Sequence, residues 1–163
     1  MTAQTVDSFE FCRLGEQASG STPVTGFTRL SGELADARGE IRWHFEGGRH
    51  PQGLPQLMML VEGEVTLVCQ RCLLPFIHRI ASETTLVLAR DEAEADELER
   101  RLDDESLDVI AVSTVLDLSQ LVEDDALLSL PLSPRHEVCP DDAPKVDIDK
   151  PESPFAVLRK LKS

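Results

Sequence analysis

Two short spacings in this chain could do chemistry: Cys69-Gln70-Arg71-Cys72 and, far downstream, His136-Glu137-Val138-Cys139. A CxxC turn sets two thiolates on a tight knuckle, two corners of the tetrahedron that zinc prefers, and an HxxC pair offers the other two. Cys69, Cys72, His136 and Cys139 are therefore candidate ligands for one zinc ion. The CxxC pair admits two other readings. Reduced cysteines pack as small apolar residues, and a dithiol oxidoreductase could use Arg71 and Arg79 to favour thiolate. Redox chemistry of that kind asks for a first cysteine at a helix N-terminus inside a βαβ unit. Here Leu73-Leu74-Pro75-Phe76 leads toward a strand instead.

Other enzyme signatures are missing. The chain contains no GxxxxGKS or GxxxxGKT phosphate loop, no GxGxxG, no GxSxG and no HExxH. Carboxylate pairs such as Asp103-Asp104 and Asp124-Asp125 read as surface charge, because acid–base work requires a cleft that nothing in the sequence indicates. Of His44, His50, His78 and His136, only His136 has a partner in sequence. No catalytic residue is assigned, and the chain reads as a non-enzyme.

The thiols can converge only if a strand turns between them, since residues three apart on a straight strand face opposite ways. Residues 61, 63, 65, 67 and 69 share one face and Glu62, Glu64 and Thr66 the other, the period of a half-buried strand. The reading is a long strand over 56–69, a bend at the CxxC, and an antiparallel return over 76–89. Upstream, residues 24–35 alternate weakly and 40–46 strongly, with Ile41, Trp43 and Phe45 on one side, so a hairpin through residues 36–39 is expected. Residues 91–105 are acidic with almost no apolar face and read as a solvated helix or a mobile loop. A short strand is expected over 107–112. Asp117 stands three residues before Gln120, a capping-box spacing, ahead of a helix over 118–130 that Pro131 stops.

These elements imply one α+β domain: a bent antiparallel sheet or partial barrel of about five strands with one covering helix. The core domain spans 23–133 and includes the acidic insertion 91–105. Residues 1–22 are expected to be flexible, and the proline-rich 134–163 to form an extended tail. That tail ends in an apolar and basic tip, where Phe155, Leu158 and Leu161 recur at intervals of three among Arg159, Lys160 and Lys162. Phe155 and Leu158, with Arg71 and Arg79 at the bend, are candidate partner-binding residues.

Charge limits the partners. Over 163 residues there are 30 Asp and Glu against 16 Lys and Arg, a formal net charge of -14. Such a molecule repels phosphate backbones and anionic membranes, which disfavours a DNA-binding, membrane-binding or general nucleic-acid-binding role. No run approaches the roughly 20 apolar residues a membrane helix requires. The N-terminus shows no charged-then-apolar secretory pattern, so the four cysteines are expected in a reducing cytoplasm, free or on metal.

On several blocks the chain resembles the YceD-like family, the large ribosomal RNA subunit accumulation proteins. The blocks are Val68-Cys69-Gln70-Arg71-Cys72-Leu73-Leu74-Pro75-Phe76, the acidic segment followed by residues 116–134, Cys139 near His136, and Ser153-Pro154-Phe155-Ala156-Val157-Leu158. Some members carry a fuller cysteine cluster after the helix, where this chain has Cys139 alone. The resemblance implies a non-enzymatic, cytoplasmic role in large-subunit (23S) ribosomal RNA synthesis, processing or accumulation. An acidic protein suits a basic ribosomal protein or assembly factor better than bare RNA, so an acidic face including 91–105 and 123–125 is the expected contact. RNA contact would be local, at Arg71 and Arg79. A zinc-knuckle adaptor unrelated to ribosomes is the alternative.

Overall fold

Period-2 alternation builds the centre of the molecule. The computed structural model describes residues 4–102 and 107–140. In chain order the elements are β1 (Thr5–Asp7), α1 (Ser8–Leu14), β2 (Gln17–Pro23), a 3-10 turn (Val24–Gly26), α2 (Thr28–Glu33), β3 (Glu40–Arg49), β4 (Pro55–Val68), β5 (Pro75–Ala89), α3 (Glu92–Leu102), β6 (Asp108–Ala111), β7 (Val115–Asp117) and α4 (Leu118–Leu128). Along β4, Leu57, Met59, Val61, Val65 and Leu67 are buried. β5 pairs with β4 in unbroken antiparallel register from Gln56 opposite Val87 to Val68 opposite Pro75.

The main sheet has five strands in the order β2-β3-β4-β5-β6, with a separate ribbon of β1 and β7. The α+β class and the strand count of the main sheet stand, and the bent sheet is open rather than closed into a barrel. The expected all-antiparallel pairing does not hold throughout, because β6 runs parallel to β5. The reason is α3, which carries the chain back along the last residues of β5, so that β6 starts opposite Leu86 and runs beside β5 to Ala89 in the same direction. Nor does one helix cover the sheet: four α-helices occur among the described residues. Residues of α1, α2 and α4 join the main core with Leu86 and Leu88, while Ala95 and Leu98 of α3 pack with Val87 and Ala89. Successive β5 residues point to opposite faces, so α3 lies across the sheet from the other three helices.

The described part of the acidic segment, α3 over Glu92–Leu102, thus carries an apolar face after all, a narrow one. α3 begins where the Asp91 carboxylate accepts the Glu94 N–H (2.9 Å) and Glu94 in turn accepts the Arg90 N–H (2.7 Å). The helix expected over 118–130 ends two residues sooner, and Asp117 caps it through the Ser119 N–H at 2.9 Å.

Two N-terminal expectations are corrected. Residues 5–22 are not a flexible leader: β1 pairs with β7, Ser8 Oγ donates to the Ser113 carbonyl (2.8 Å), and Phe11 and Cys12 are buried. Asp7 caps α1 and Gly15 closes it in left-handed conformation at φ 66°. Gly47 of β3 takes the Gly15–Glu16 turn at close range, since a Cβ there would strike the Phe11 carbonyl. Residues 24–35 do not form the expected strand: Val24–Gly26 is a 3-10 turn and Thr28–Glu33 is helical. Val24, Phe27 and Leu30 are all buried, and a spacing of three suits a helical turn where a strand needs two. The true partner of β3 is β2, whose small polar residues include Gly20 under the Trp43 ring.

α2 has no capping side chain of its own. Glu123 of α4 supplies one, accepting from the Arg29 N–H (2.6 Å) and the Leu30 N–H (3.2 Å) while pairing with the Arg29 guanidinium at 3.0 Å. Glu123→Ala is expected to lower unfolding free energy by about 1–2 kcal/mol. Urea denaturation checks this, with Glu123→Gln recovering part of the loss because an acceptor remains.

Candidate metal centre

The site begins where β4 runs out. Leu67 is buried, and Cys69 falls next in phase on the same side of the strand, fully buried at 0% exposure. The bend then closes on itself: the Cys69 N–H donates to the Leu74 carbonyl (3.0 Å) and the Leu73 N–H to the Cys69 carbonyl (2.8 Å). Leu73 adopts φ 61°, the left-handed conformation that glycine usually takes. For an L-residue that costs about 1–2 kcal/mol. In return, the chain reverses sharply enough to bring Cys72 beside Cys69.

The segment after α4 folds onto this bend. The Gln70 N–H donates to the Pro134 carbonyl (2.8 Å), and Ser133 Oγ meets Gln70 Oε1 at 2.9 Å. The His136 N–H points at Cys69 Sγ (3.4 Å), and the His136 ring packs against Phe76 with centroids 5.1 Å apart. Arg71 is exposed, yet its guanidinium folds back onto the cluster. Its Nε donates to Cys139 Sγ (3.0 Å) and its Nη2 to the His136 carbonyl (3.3 Å), so one guanidinium ties both halves of the site.

The four ligand atoms of Cys69, Cys72, His136 and Cys139 all lie within 4.8 Å of one another. Cys69 Sγ is 3.8 Å from Cys139 Sγ, and Cys72 Sγ is 3.2 Å from His136 Nδ1. Zinc–sulfur bonds of about 2.3 Å at tetrahedral angles put two sulfurs about 3.8 Å apart, so the first distance fits and the second is close. Three thiolates and one imidazole are a closed structural set with no position left for water. The arrangement is compatible with zinc. It differs from the expected redox-dithiol setting, since Cys69 and Cys72 occupy a hairpin bend between antiparallel strands rather than the start of a helix.

Electrostatics favour thiolate at Cys69 and oppose it at Cys72. Burial, the largest single influence on Cys69, pushes its thiol up. The backbone N–H groups of Cys72, His136 and Arg71 together outweigh it and hold Cys69 at about 5. Burial raises Cys72, and its neighbouring sulfurs add to the rise. Cys139 draws the Arg71 guanidinium further into its charged form, through the hydrogen bond first and charge second.

Arg79 is an exposed residue of β5 opposite Glu64, away from the ligand cluster. Phe155 and Leu158 lie outside the described residues. Glu123 and Asp124 of the expected acidic face are engaged by Arg29, the latter at 2.6 Å. Asp125 is turned inward, where its Oδ1 accepts from Ser82 (3.1 Å) and Thr84 (3.0 Å). Its burial was visible in the spacing, because Asp125 follows Leu118 and Val122 on the core-facing stripe of α4.

Fold and site together define an open-sheet scaffold whose hairpin bend and post-helix segment share a Cys3His cluster. The family described as "Large ribosomal RNA subunit accumulation protein YceD" matches residues 57–162, and the chain belongs to that family. A Haemophilus influenzae protein named "Large ribosomal RNA subunit accumulation protein YceD" is 30% identical over 138 residues, covering 79% of this chain and 75% of the relative. No solved structure matches. The family is named for accumulation of ribosomal RNA and not for a reaction.

Without metal, the cysteine pair is expected to titrate in two separated steps. Ultraviolet absorbance of the thiolate should rise near pH 5, where Cys69 ionises, and the Cys72 thiolate should appear only above the ordinary thiol range. Loss of the lower step in Cys69→Ser checks the assignment.

Proposed function

We propose that this chain is a non-enzymatic cytoplasmic accessory of large-subunit assembly. It supports 23S ribosomal RNA synthesis, processing or accumulation by binding a basic ribosomal protein or assembly factor. Family membership over residues 57–162 is the observation that carries the reading. Physical support comes from α3, whose Glu92, Asp96, Glu97 and Glu99 are exposed on a chain of formal charge -14. Opposite potentials of this size speed encounter with a basic partner and penalise bare RNA. Because Glu123 and Asp124 are committed to Arg29, the contact centres on α3. No helix among the described residues is long and apolar enough to cross a membrane.

Zinc is held in this reading by Cys69, Cys72, His136 and Cys139, where it supplies folding free energy and pins the post-helix segment to the hairpin bend. Arg71 acts behind the ligands by orienting Cys139. The convergence of the four donors also favours a second reading, a zinc-knuckle adaptor that works outside ribosome assembly. RNA contact, if made, is local to the bend and to Arg79.

Elemental analysis of untagged protein should find one zinc per chain, lost in Cys139→Ser. Arg71→Ala should weaken affinity by about 10-fold. Stable folding in chelator with no bound metal would remove the zinc assignment.

In lysate gradients the protein should travel with precursor large subunits or with a free basic ribosomal protein. Replacing Glu92, Asp96, Glu97 and Glu99 by lysine should release it and reduce 23S ribosomal RNA. Migration alone at every salt concentration, with ribosomal RNA unchanged on deletion, overturns the ribosomal reading in favour of the adaptor.

A further inference from the structure

A groove of about 890 Å³ runs between α4 and the β5–β6 end of the sheet. Met59, Leu86 and Ile110 contribute to its apolar lining, and Leu128 of α4 stands 86% exposed at its side. Glu99 of α3 and Asp108 of β6 add carboxylates to the lining. Asp125 lines it as well, 9% exposed, with Oδ1 satisfied by two hydroxyls and Oδ2 buried with no hydrogen-bond partner among the described residues. An apolar trough with an orphaned buried carboxylate oxygen asks for an occupant that brings bulky apolar side chains and a cation together.

We propose that the occupant is this chain's own C-terminal segment, residues 155–162, docked in the groove with one of its cations facing Asp125. The chemistry matches. Phe155, Val157, Leu158 and Leu161 are interleaved with Arg159, Lys160 and Lys162, and no Asp or Glu occurs from Ser153 to Ser163, in a chain that is otherwise strongly acidic. The length also matches. Fourteen residues separate Pro140, the last described, from Phe155. Fully extended they span about 46 Å, more than the roughly 37 Å diameter of a domain of this size. Tethering makes the encounter intramolecular, at an effective concentration on the order of millimolar. Leu128 and the Asp125 oxygen then gain the cover that the described residues do not give them. This proposal is independent of the ribosomal role and of the zinc assignment.

Methyl NMR on the full chain tests it, with mixtures of labelled and unlabelled chains separating contacts within one chain from contacts between copies. Cross-peaks are expected from the Phe155 ring and the Leu158 methyls to Leu86, Ile110 and Leu128 of the same chain, independent of protein concentration. Leu158→Asp should abolish them without touching the fold. D125N keeps an acceptor for Ser82 and Thr84 but removes the charge, and should lose most of the cross-peak intensity. Tail resonances without any contact to these methyls overturn the proposal. So do contacts that appear only between labelled and unlabelled chains, which would assign the groove to a second copy, and a D125N spectrum with undiminished tail contacts.

Discussion

The unbroken pairing of β4 with β5 constrains everything else in this chain. Its register runs from Gln56 and Val87 at one end to Val68 and Pro75 at the other. Because side chains alternate with a period of two, a slip of one residue would turn Leu57, Met59, Val61, Val65 and Leu67 out of the core. The same slip would carry Cys69 to the solvent side. Core packing and ligand placement are thus one requirement, and the burial of five apolar side chains holds the first thiol where a second and third can meet it.

How much of this the sequence discloses depends on the range of the interaction. The β4–β5 hairpin, α4 and the shared Cys3His cluster are legible because alternation, caps and ligand spacing are local signals. α1 was not read although Asp7, Glu10 and Gly15 bracket it, because one apolar patch over seven residues is too short to show a helical period. β2 was not legible: Gln17 to Pro23 is small and polar, and it is a strand only because β3 offers it an edge and Trp43 needs a flat neighbour at Gly20. α2 likewise depends on a carboxylate far along the chain, Glu123, for its first turn. The parallel placement of β6 follows from α3, whose two buried residues are too few to announce a face.

Charge in this protein is spent unevenly. Arg29 absorbs Glu123 and Asp124, and Asp125 is internal, so the acidic tract on α4 presents far less to solvent than its composition suggests. α3 is the reverse, with Glu92, Asp96, Glu97 and Glu99 exposed and Ala95, Leu98 and Leu102 packed toward the sheet. Formal charge therefore overstates one helix as a recognition surface and describes the other well. At the cysteine cluster a single guanidinium bridges the Cys139 sulfur and the His136 carbonyl, which ties the post-helix segment to the bend from outside the four donors.

The ribbon of β1 and β7 ties the first ordered strand to the segment just before α4, and Ser8 reaches a carbonyl 105 positions away. During synthesis, the opening strand must wait unpaired until most of the chain has left the ribosome. Cys139 arrives later still. Long-range closures of this kind are slow because loop entropy is lost before the contacts form. A truncated chain would present Phe11, a bare sheet edge and uncommitted thiols, so quality control has a clear mark by which to tell an unfinished molecule from a finished one.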